Sequence, residues 1–436
     1  MKNLSVKGLI KYGEGNEKSG GVKILILVSL LTVYTIFFTV TKNILIATFA
    51  SVIWVITAYA FRTFEFDALE SLNEQLVRIL VSSFFSGMFI LLPELTDTPN
   101  FSGKQILKGL LYTYFATPFL NYVLYNFLFL RLSKPRHYLV IGRKEEEVGR
   151  ILDEITEKSR GKIVFEEFLN PSPAVLKVKL DNFNDILVAD FELYKRVKHI
   201  LEPYKSSKKI EYLSDLSEKI LRRIPLEVVD RFREYYEIEF ENAKESPTKR
   251  ILDMFGAILG LVFFAPIILI AAVAILIEDG PPVVFKQLRV GKNNKEFMIV
   301  KLRSMKKQTD GQARFADQEK DRILKIGKII RPTRIDEALQ FWNILKGDMS
   351  LVGPRPEQIP FVREFEQKIP YYSYRHKLKP GLTGWAQIMY QYSSTLEEVK
   401  RKLEYDLYYI KNRSTLMDLR IILQTIEAVF WRRGAK

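Results

Sequence analysis

The chain has 436 residues, no cysteine and three widely spaced histidines, His137, His199 and His376. Disulfides, thiolate-bound metals and a Ser-His-Asp triad are therefore set aside, and any metal would be a hard, oxygen-bound cation such as magnesium. The formal charge of +15, from 66 Lys+Arg against 51 Asp+Glu, points to phosphorylated substrates or an anionic membrane leaflet, and no nucleic-acid-binding signature accompanies it.

Behind a polar tail, residues 1–21, lie four apolar blocks at 22–40, 43–61, 75–92 and 105–130. A spanning helix needs ~20 mostly apolar residues, so residues 22–132 are predicted to form four transmembrane helices, with a buried soluble bundle as the alternative. Lys2, Lys7, Lys11, Lys18 and Lys23 precede the first block, and Arg131, Lys134 and Arg136 follow the fourth. The connection PELTDTPNFSG has no basic residue, so the N-terminus and everything after residue 131 are placed in the cytoplasm.

From residue 136 to 225, HYLVI, DILVAD and KIEYL read as strands between amphipathic helices, the rhythm of a small Rossmann-like α/β module. Its first turn, Ile141-Gly142-Arg143-Lys144-Glu145, lacks the glycine-rich phosphate fingerprint, which favours a structural or regulatory module over a cofactor site. Residues 226–248 read as a helix and a linker ending in Ser246-Pro247.

Residues 254–277, MFGAILGLVFFAPIILIAAVAILI, are apolar enough to cross a membrane. Crossing would put the basic stretches KQLRVGKNNK and KLRSMKK outside, and Pro266 should bend the helix, so re-entry on the same face is favoured over a fifth span. Lys249, Arg250 and Asp253 stand at its start, where the cations suit the headgroup zone and would position the helix. The C-terminal stretch from Tyr405 to Lys436 reads as an interfacial amphipathic helix or an ordinary core helix.

Within RPTRIDEALQFWNILKGDMSLVGPRPE, residues 331–357, two adjacent acids lie among arginines. A helix over 333–346 would carry Ile335, Ala338, Leu339, Trp342 and Leu345 as an apolar stripe, and Asp336, Gln340 and Asn343 on a polar face. Neighbouring carboxylates turned by about 100° on a helix cannot form a symmetric dyad. Asp336 and Glu337 should therefore differ in role, one as nucleophile or metal ligand and the other as base or supporting ligand. Arg355, fixed between Pro354 and Pro356, suits a phosphoryl oxygen, and Arg331 lies just over one turn before Asp336. Two acids, two cations and a magnesium ion describe phosphoryl transfer.

Residues 249–436 resemble the catalytic domain of the bacterial sugar transferases, the polyprenyl-phosphate hexose-1-phosphate transferases that begin O-antigen, capsule and exopolysaccharide synthesis. The resemblance rests on KRILD, FKQLRVGKNNKEFMIVKLRSMK, IRPTRIDEALQFWNILKGDMSLVGPRPE and KPGLTGWAQI, which stand in the family's order. The spans and the α/β module also resemble the long members. The implied fold is a membrane α-helical bundle, a small α/β (Rossmann-like) module and an α-rich monotopic catalytic domain with a re-entrant membrane helix.

The resemblance implies a ping-pong reaction on the cytoplasmic face of the bacterial inner membrane. Asp336 would take sugar phosphate from a UDP-sugar, releasing UMP, and undecaprenyl phosphate would then accept it. It further implies Asp336 as nucleophile, Glu337 as its assistant, and magnesium held by both. Lys301, Arg303, Arg331 and Arg355 would be phosphate and carboxylate partners, with Gly381, Thr383, Gly384, Trp385 and Gln387 holding the nucleotide. The sugar and the oligomeric state stay open, a homodimer being common for such an architecture. Two residues depart from the family pattern: Ala338 precedes Leu339 where Leu-Pro is common, and Ala265 precedes Pro266 where serine is. Rival readings are a membrane phosphatase or pyrophosphatase using water as acceptor, and an inactive scaffold for polysaccharide assembly.

Overall fold

The computed structural model describes residues 16–61, 63–64, 69, 72–91, 102–127, 135–143, 145–170, 172–306, 322–390 and 395–430. The chain divides into two compact units, residues 1–136 and 137–436. Most of the charges used to orient the bundle, including Lys2, Lys7, Lys11, Arg131 and Lys134, and most of PELTDTPNFSG lie outside the described residues.

In the first unit, α1 (Asn16–Thr41) packs on α2 (Ile44–Ala60) and on α4 (Gly103–Tyr125), and α3 (Leu72–Leu91) packs on the same two helices. Leu25, Val33, Phe37, Trp54, Ile79 and Ile106 fill the interior. Polar groups inside are tied to one another: Ser29 Oγ donates to Asn121 Oδ1 at 2.9 Å, and Trp54 Nε1 to Ser83 Oγ at 3.1 Å. Leu31, Leu45, Phe84, Phe115 and Phe119 face outward. Satisfied polar groups inside and large apolar side chains outside suit a bundle surrounded by lipid. Among the described residues, two helical stretches could cross a membrane by length and composition, Lys23–Thr41 here and Pro247–Asp279 in the second unit; Ile44–Ala60 and Gln75–Leu91 are shorter apolar helices.

The second unit begins with a four-stranded sheet in the order β2-β1-β3-β4, formed by β1 (Arg136–Ile141), β2 (Ile163–Leu169), β3 (Asp185–Val188) and β4 (Lys209–Tyr212). β1 pairs with β3, and β3 with β4, in parallel. Leu139, Val140, Ile141, Ile186, Leu187 and Val188 are all buried, the unbroken apolar run of strands covered on both faces. The covering helices are α5 (Glu146–Lys158), α6 (Pro173–Leu180), α7 (Phe191–Leu201) and α8 (Leu213–Leu221).

The stretch read as helix and linker is part of the core. In α9 (Leu226–Arg231) and α10 (Arg233–Glu241), Val228, Val229, Tyr236 and Phe240 join one cluster with Leu403, Leu407 and Ile410 of α16 (Leu396–Asn412). Polar ties reinforce the join: Ile224 N donates to Glu404 O at 3.1 Å, Leu226 N to Glu404 Oε1 at 3.4 Å, and Arg223 pairs with Glu404. The sheet and the remaining domain are therefore one packed body.

The long apolar helix α11 (Pro247–Asp279) runs as one element through Pro266. Val262, Phe263, Leu269 and Ile270 point outward along it. Its first half packs closely: a Cβ on Gly256 would stand 2.5 Å from Leu351 Cδ1, and one on Gly260 would stand 2.6 Å from the Phe341 ring. A side chain at either position would have to displace Leu351 or Phe341. Ala271 and Ile275 in its second half pack with Leu302, Leu324 and Ile330. An antiparallel pair, β5 (Val284–Val290) and β6 (Glu296–Leu302), follows. Next come α12 (Gly327–Ile330), α13 (Gln340–Lys346), β7 (Ser350–Val352), α14 (Ile359–Lys368), β8 (Gly381–Thr383), α15 (Trp385–Met389), α16 and α17 (Thr415–Phe430).

Candidate active site

The acids do not sit on a helix over 333–346. Arg334 is left-handed, with φ 54°, and interrupts the run; a 3-10 turn, Ile335–Glu337, follows, and α13 starts at Gln340. The proposed polar face points inward. Asp336, Gln340 and Asn343 are buried, whereas Trp342 of the proposed apolar stripe is 58% exposed. Asn343 has inward partners: its Nδ2 donates to Met298 O at 2.8 Å and its Oδ1 accepts from Val300 N at 3.1 Å, fastening α13 to β6, while Ile335, Ala338, Leu339 and Leu345 of the stripe still pack on the core.

The two acids differ as adjacent acids on a twisted backbone should. Glu337 Oε1 accepts from Arg355 Nη2 at 2.7 Å, and Arg334 Nη1 stands 3.7 Å from Oε2. Burial works to raise this carboxyl, but the charge and hydrogen bond of Arg355 outweigh it and hold Glu337 at about 2. Asp336 is 7% exposed, and among the described residues its carboxylate accepts no hydrogen bond. Burial, and then the charge of Glu337, push Asp336 up to about 7 against the pull of Lys301, Arg331 and Arg355. One acid is thus locked as an anion, and the other is left poised.

Lys301, Arg331 and Arg355 are brought to the acids as expected. Lys301 comes from β6 with its Nζ 5.1 Å from the centroid of the Phe285 ring, and burial lowers its pKa while Asp336 and Glu337 raise it. Arg303 is not brought there. Its Nη2 donates to Asp279 O at 3.0 Å and Gly280 O at 2.6 Å, and Nη1 stands 3.1 Å from Asp279 Oδ2, so it clamps the end of α11.

Arg289 was not foreseen. From β5 its Nη1 donates to Pro356 O at 3.2 Å and lies 4.0 Å from Glu357, and burial lowers it to about 10. The available signal was alternation: Gln287 and Arg289 share one face of the strand, and Arg289 Nη2 donates to Gln287 Oε1 at 2.8 Å.

The residues assigned to membrane positioning act from inside the protein. Lys249 is buried and donates to Asp418 Oδ2 at 2.8 Å and Tyr409 Oη at 3.1 Å. Asp253 Oδ1 accepts from Ser350 Oγ and Leu351 N, both at 2.9 Å. Arg250 closes the C-terminus of α13 through Ile344 O at 2.7 Å and Leu345 O at 2.8 Å. They fix the root of α11 in the domain and do not reach for headgroups.

The PGLTGWAQ segment builds the floor behind Arg355. A Cβ on Gly381 would stand 2.1 Å from Gly353 N, and one on Gly384 would stand 2.2 Å from Gly353 O, so these glycines let β7 and β8 run together. Trp385 is buried and donates Nε1 to Arg222 O at 3.0 Å, and Thr383 Oγ1 lies 2.6 Å from Thr425 Oγ1. Both Gln387 amide atoms are buried without a hydrogen-bond partner.

The acid pair fits a hard divalent cation in its donor chemistry. Glu337 Oε2 is buried without a hydrogen-bond partner, and the Asp336 carboxylate accepts none. Among the described residues no group of three metal-ligating side chains exists, so these two acids would supply only part of an oxygen shell. Magnesium usually completes such a shell with water and phosphate oxygens.

A carboxylate pair ringed by cations, on a domain carrying a long exposed apolar helix, suits a class that handles phosphoryl groups beside a membrane. Residues 244–432 match the bacterial sugar transferase family. The chain is 45% identical over 189 residues to the UDP-N-acetylgalactosamine-undecaprenyl-phosphate N-acetylgalactosaminephosphotransferase of Aeromonas hydrophila, covering 43% of this chain and 45% of the relative. It is 39% identical over 184 residues to a UDP-glucose:undecaprenyl-phosphate glucose-1-phosphate transferase of Caulobacter vibrioides, covering 42% of this chain and 69% of the relative. It is 38% identical over 186 residues to an uncharacterized sugar transferase, EpsL, of Bacillus subtilis, covering 43% of this chain and 89% of the relative. This chain belongs to the bacterial sugar transferase family. The helices of the first unit and the four-stranded sheet lie outside the matched residues.

Proposed function

We propose that the protein transfers hexose-1-phosphate from a UDP-sugar to undecaprenyl phosphate at the cytoplasmic face of the inner membrane. The observation that carries this reading is the division between the acids: Glu337 is locked to Arg355, while Asp336 is buried among cations with its oxygens unclaimed. In the first half-reaction an Asp336 oxygen bonds to the β-phosphorus, the bond from that phosphorus to the bridging oxygen breaks, and UMP leaves with the oxygen. In the second, a phosphate oxygen of the lipid attacks the same phosphorus and the aspartyl bond breaks, regenerating the carboxylate. Lys301, Arg331 and Arg355 favour the ionised form of Asp336 and neutralise the diphosphate. Magnesium held by Asp336 and Glu337 would add charge neutralisation on the diphosphate oxygens.

Membrane geometry supports the same reading. Both ends of α11 are held by one compact unit, the first by Asp418, Ser350 and the end of α13, the second by Arg303 and by Glu278, which accepts from Lys325 N and Ile326 N. A helix crossing ~30 Å of hydrocarbon could not easily leave both ends in one domain, whereas a helix dipping into one leaflet can. The acid turn packs against α11, a position that would let a lipid phosphate and a cytosolic sugar nucleotide both reach it.

Purified protein given UDP-sugar, undecaprenyl phosphate and magnesium should release UMP and form polyprenyl diphosphate sugar. Free sugar phosphate in place of glycolipid supports the hydrolase reading. Unchanged glycolipid synthesis in a D336N strain supports the scaffold.

A further inference from the structure

The loop that carries Arg355 lies between β7 and α14, flanked by prolines that donate no backbone hydrogen bond. Its carbonyls are gripped from outside. Arg375, in the 3-10 turn Tyr372–Lys377, donates Nη2 to Arg355 O at 2.9 Å and to Asp406 Oδ2 at 3.0 Å, and Nη1 to Tyr372 Oη at 2.5 Å. Arg375 and Asp406 are both buried. A buried ion pair is a weak way to gain stability compared with apolar packing of the same volume, so this one asks for another role. Asp406 lies on α16, two residues beyond Glu404, which holds the Arg223–Leu226 segment. The helix thus joins the sheet's end of the core to the catalytic loop.

We propose that Arg375, held by Asp406, is a positioning residue for phosphoryl transfer. It fixes the main chain of Arg355 so that the guanidinium meets Glu337 and the incoming diphosphate in one register. The proposal rests on the transfer reading above and adds a residue pair to it. A general stabiliser would lower activity whatever stands at 355. A positioning residue loses its effect once Arg355 is gone.

The test is a double-mutant cycle on the full chain in detergent, read as UMP release at varied UDP-sugar, with D406N and R375K each made in wild-type and R355A backgrounds. In wild type each should lower kcat roughly 10-fold or more while the donor KM stays within about threefold, and D406E should recover part of the loss. In R355A neither should cost more than about twofold further. Equal fold-losses in both backgrounds overturn the proposal and leave the transfer reading standing, as does failure of both variants to fold, which marks the pair as structural. A wild-type chain that releases no UMP overturns both.

Discussion

Two regions of the second unit have the form of a ligand site, and they treat charge in opposite ways. At the C-terminal ends of β1 and β3, where an open α/β sheet would bind a nucleotide, three charged groups are closed on one another. Arg231 pairs with Glu145 and stands 3.5 Å from Asp190, whose Oδ1 already caps α7 through Leu193 N at 3.0 Å. A Cβ on Gly142 would stand 3.0 Å from Ala189 Cβ, so the turn is used for packing. At the acid turn, Asp336 and Lys301 are buried or half-buried with no hydrogen bond between protein groups among the described residues. Fold topology nominates the first place, and unsatisfied charge selects the second.

The largest effect expected from breaking that contrast is at Asp336. D336N should lower UMP release by at least ~10³-fold, because it removes the proposed nucleophile and leaves the surrounding cations in place. K301A should cost about 10²-fold in kcat, the scale of losing one charge-stabilising group in a water-poor site. Its donor KM should rise less than kcat falls.

Arg303 sharpens the comparison from the other side. It stands two residues after Lys301 and looks equally suited to phosphate, yet it holds the end of α11. R303A should destabilise the protein by about 2–3 kcal/mol, seen as a lower thermal midpoint, while kcat per folded molecule changes little. A large kcat loss with unchanged stability would return Arg303 to the phosphate site.

The difference between Lys301 and Arg303 also shows how far sequence reading reaches. The apolar helix, the acid pair, Arg331 and the proline-held Arg355 were legible because each depends on local composition or spacing. The roles of Arg303, Lys249 and Trp385 were not, since a long cationic or aromatic side chain looks the same whether it meets a ligand or a main-chain carbonyl across the core. The break at Arg334 was missed because left-handed arginine has no sequence signature. The helix expected after residue 225 forms, and its burial in the core was missed for a related reason. Tyr236 and Phe240 have the spacing of one helix face, but their partners are far along the chain.

A smaller effect concerns pH. The Asp336 carboxyl, facing Glu337, Lys301, Arg331 and Arg355, is raised from 3.8 to about 7, so the folded state keeps a proton that the unfolded chain releases near pH 4. Stability without divalent cation is therefore highest below that pH and falls as pH rises toward 7, by at most ~4 kcal/mol. D336N should flatten this slope and raise the thermal midpoint at pH 7.5 in EDTA. A variant as pH-sensitive as wild type between pH 4 and 7 would show that Asp336 does not carry the strain. The smallest effect is expected at the closed crevice. R231A should cost about 1 kcal/mol of stability and leave UMP release unchanged, the outcome for a self-satisfied, partly exposed ion pair.

The most direct measurement is intact mass after incubation with UDP-sugar and magnesium, without lipid acceptor. A mass increase equal to one sugar phosphate on wild type, absent from D336N and discharged by undecaprenyl phosphate, is the result expected of a carboxylate at 336 that carries the substrate. Unmodified wild-type protein that nonetheless turns over with donor and acceptor together, or an adduct that survives in D336N, would contradict it.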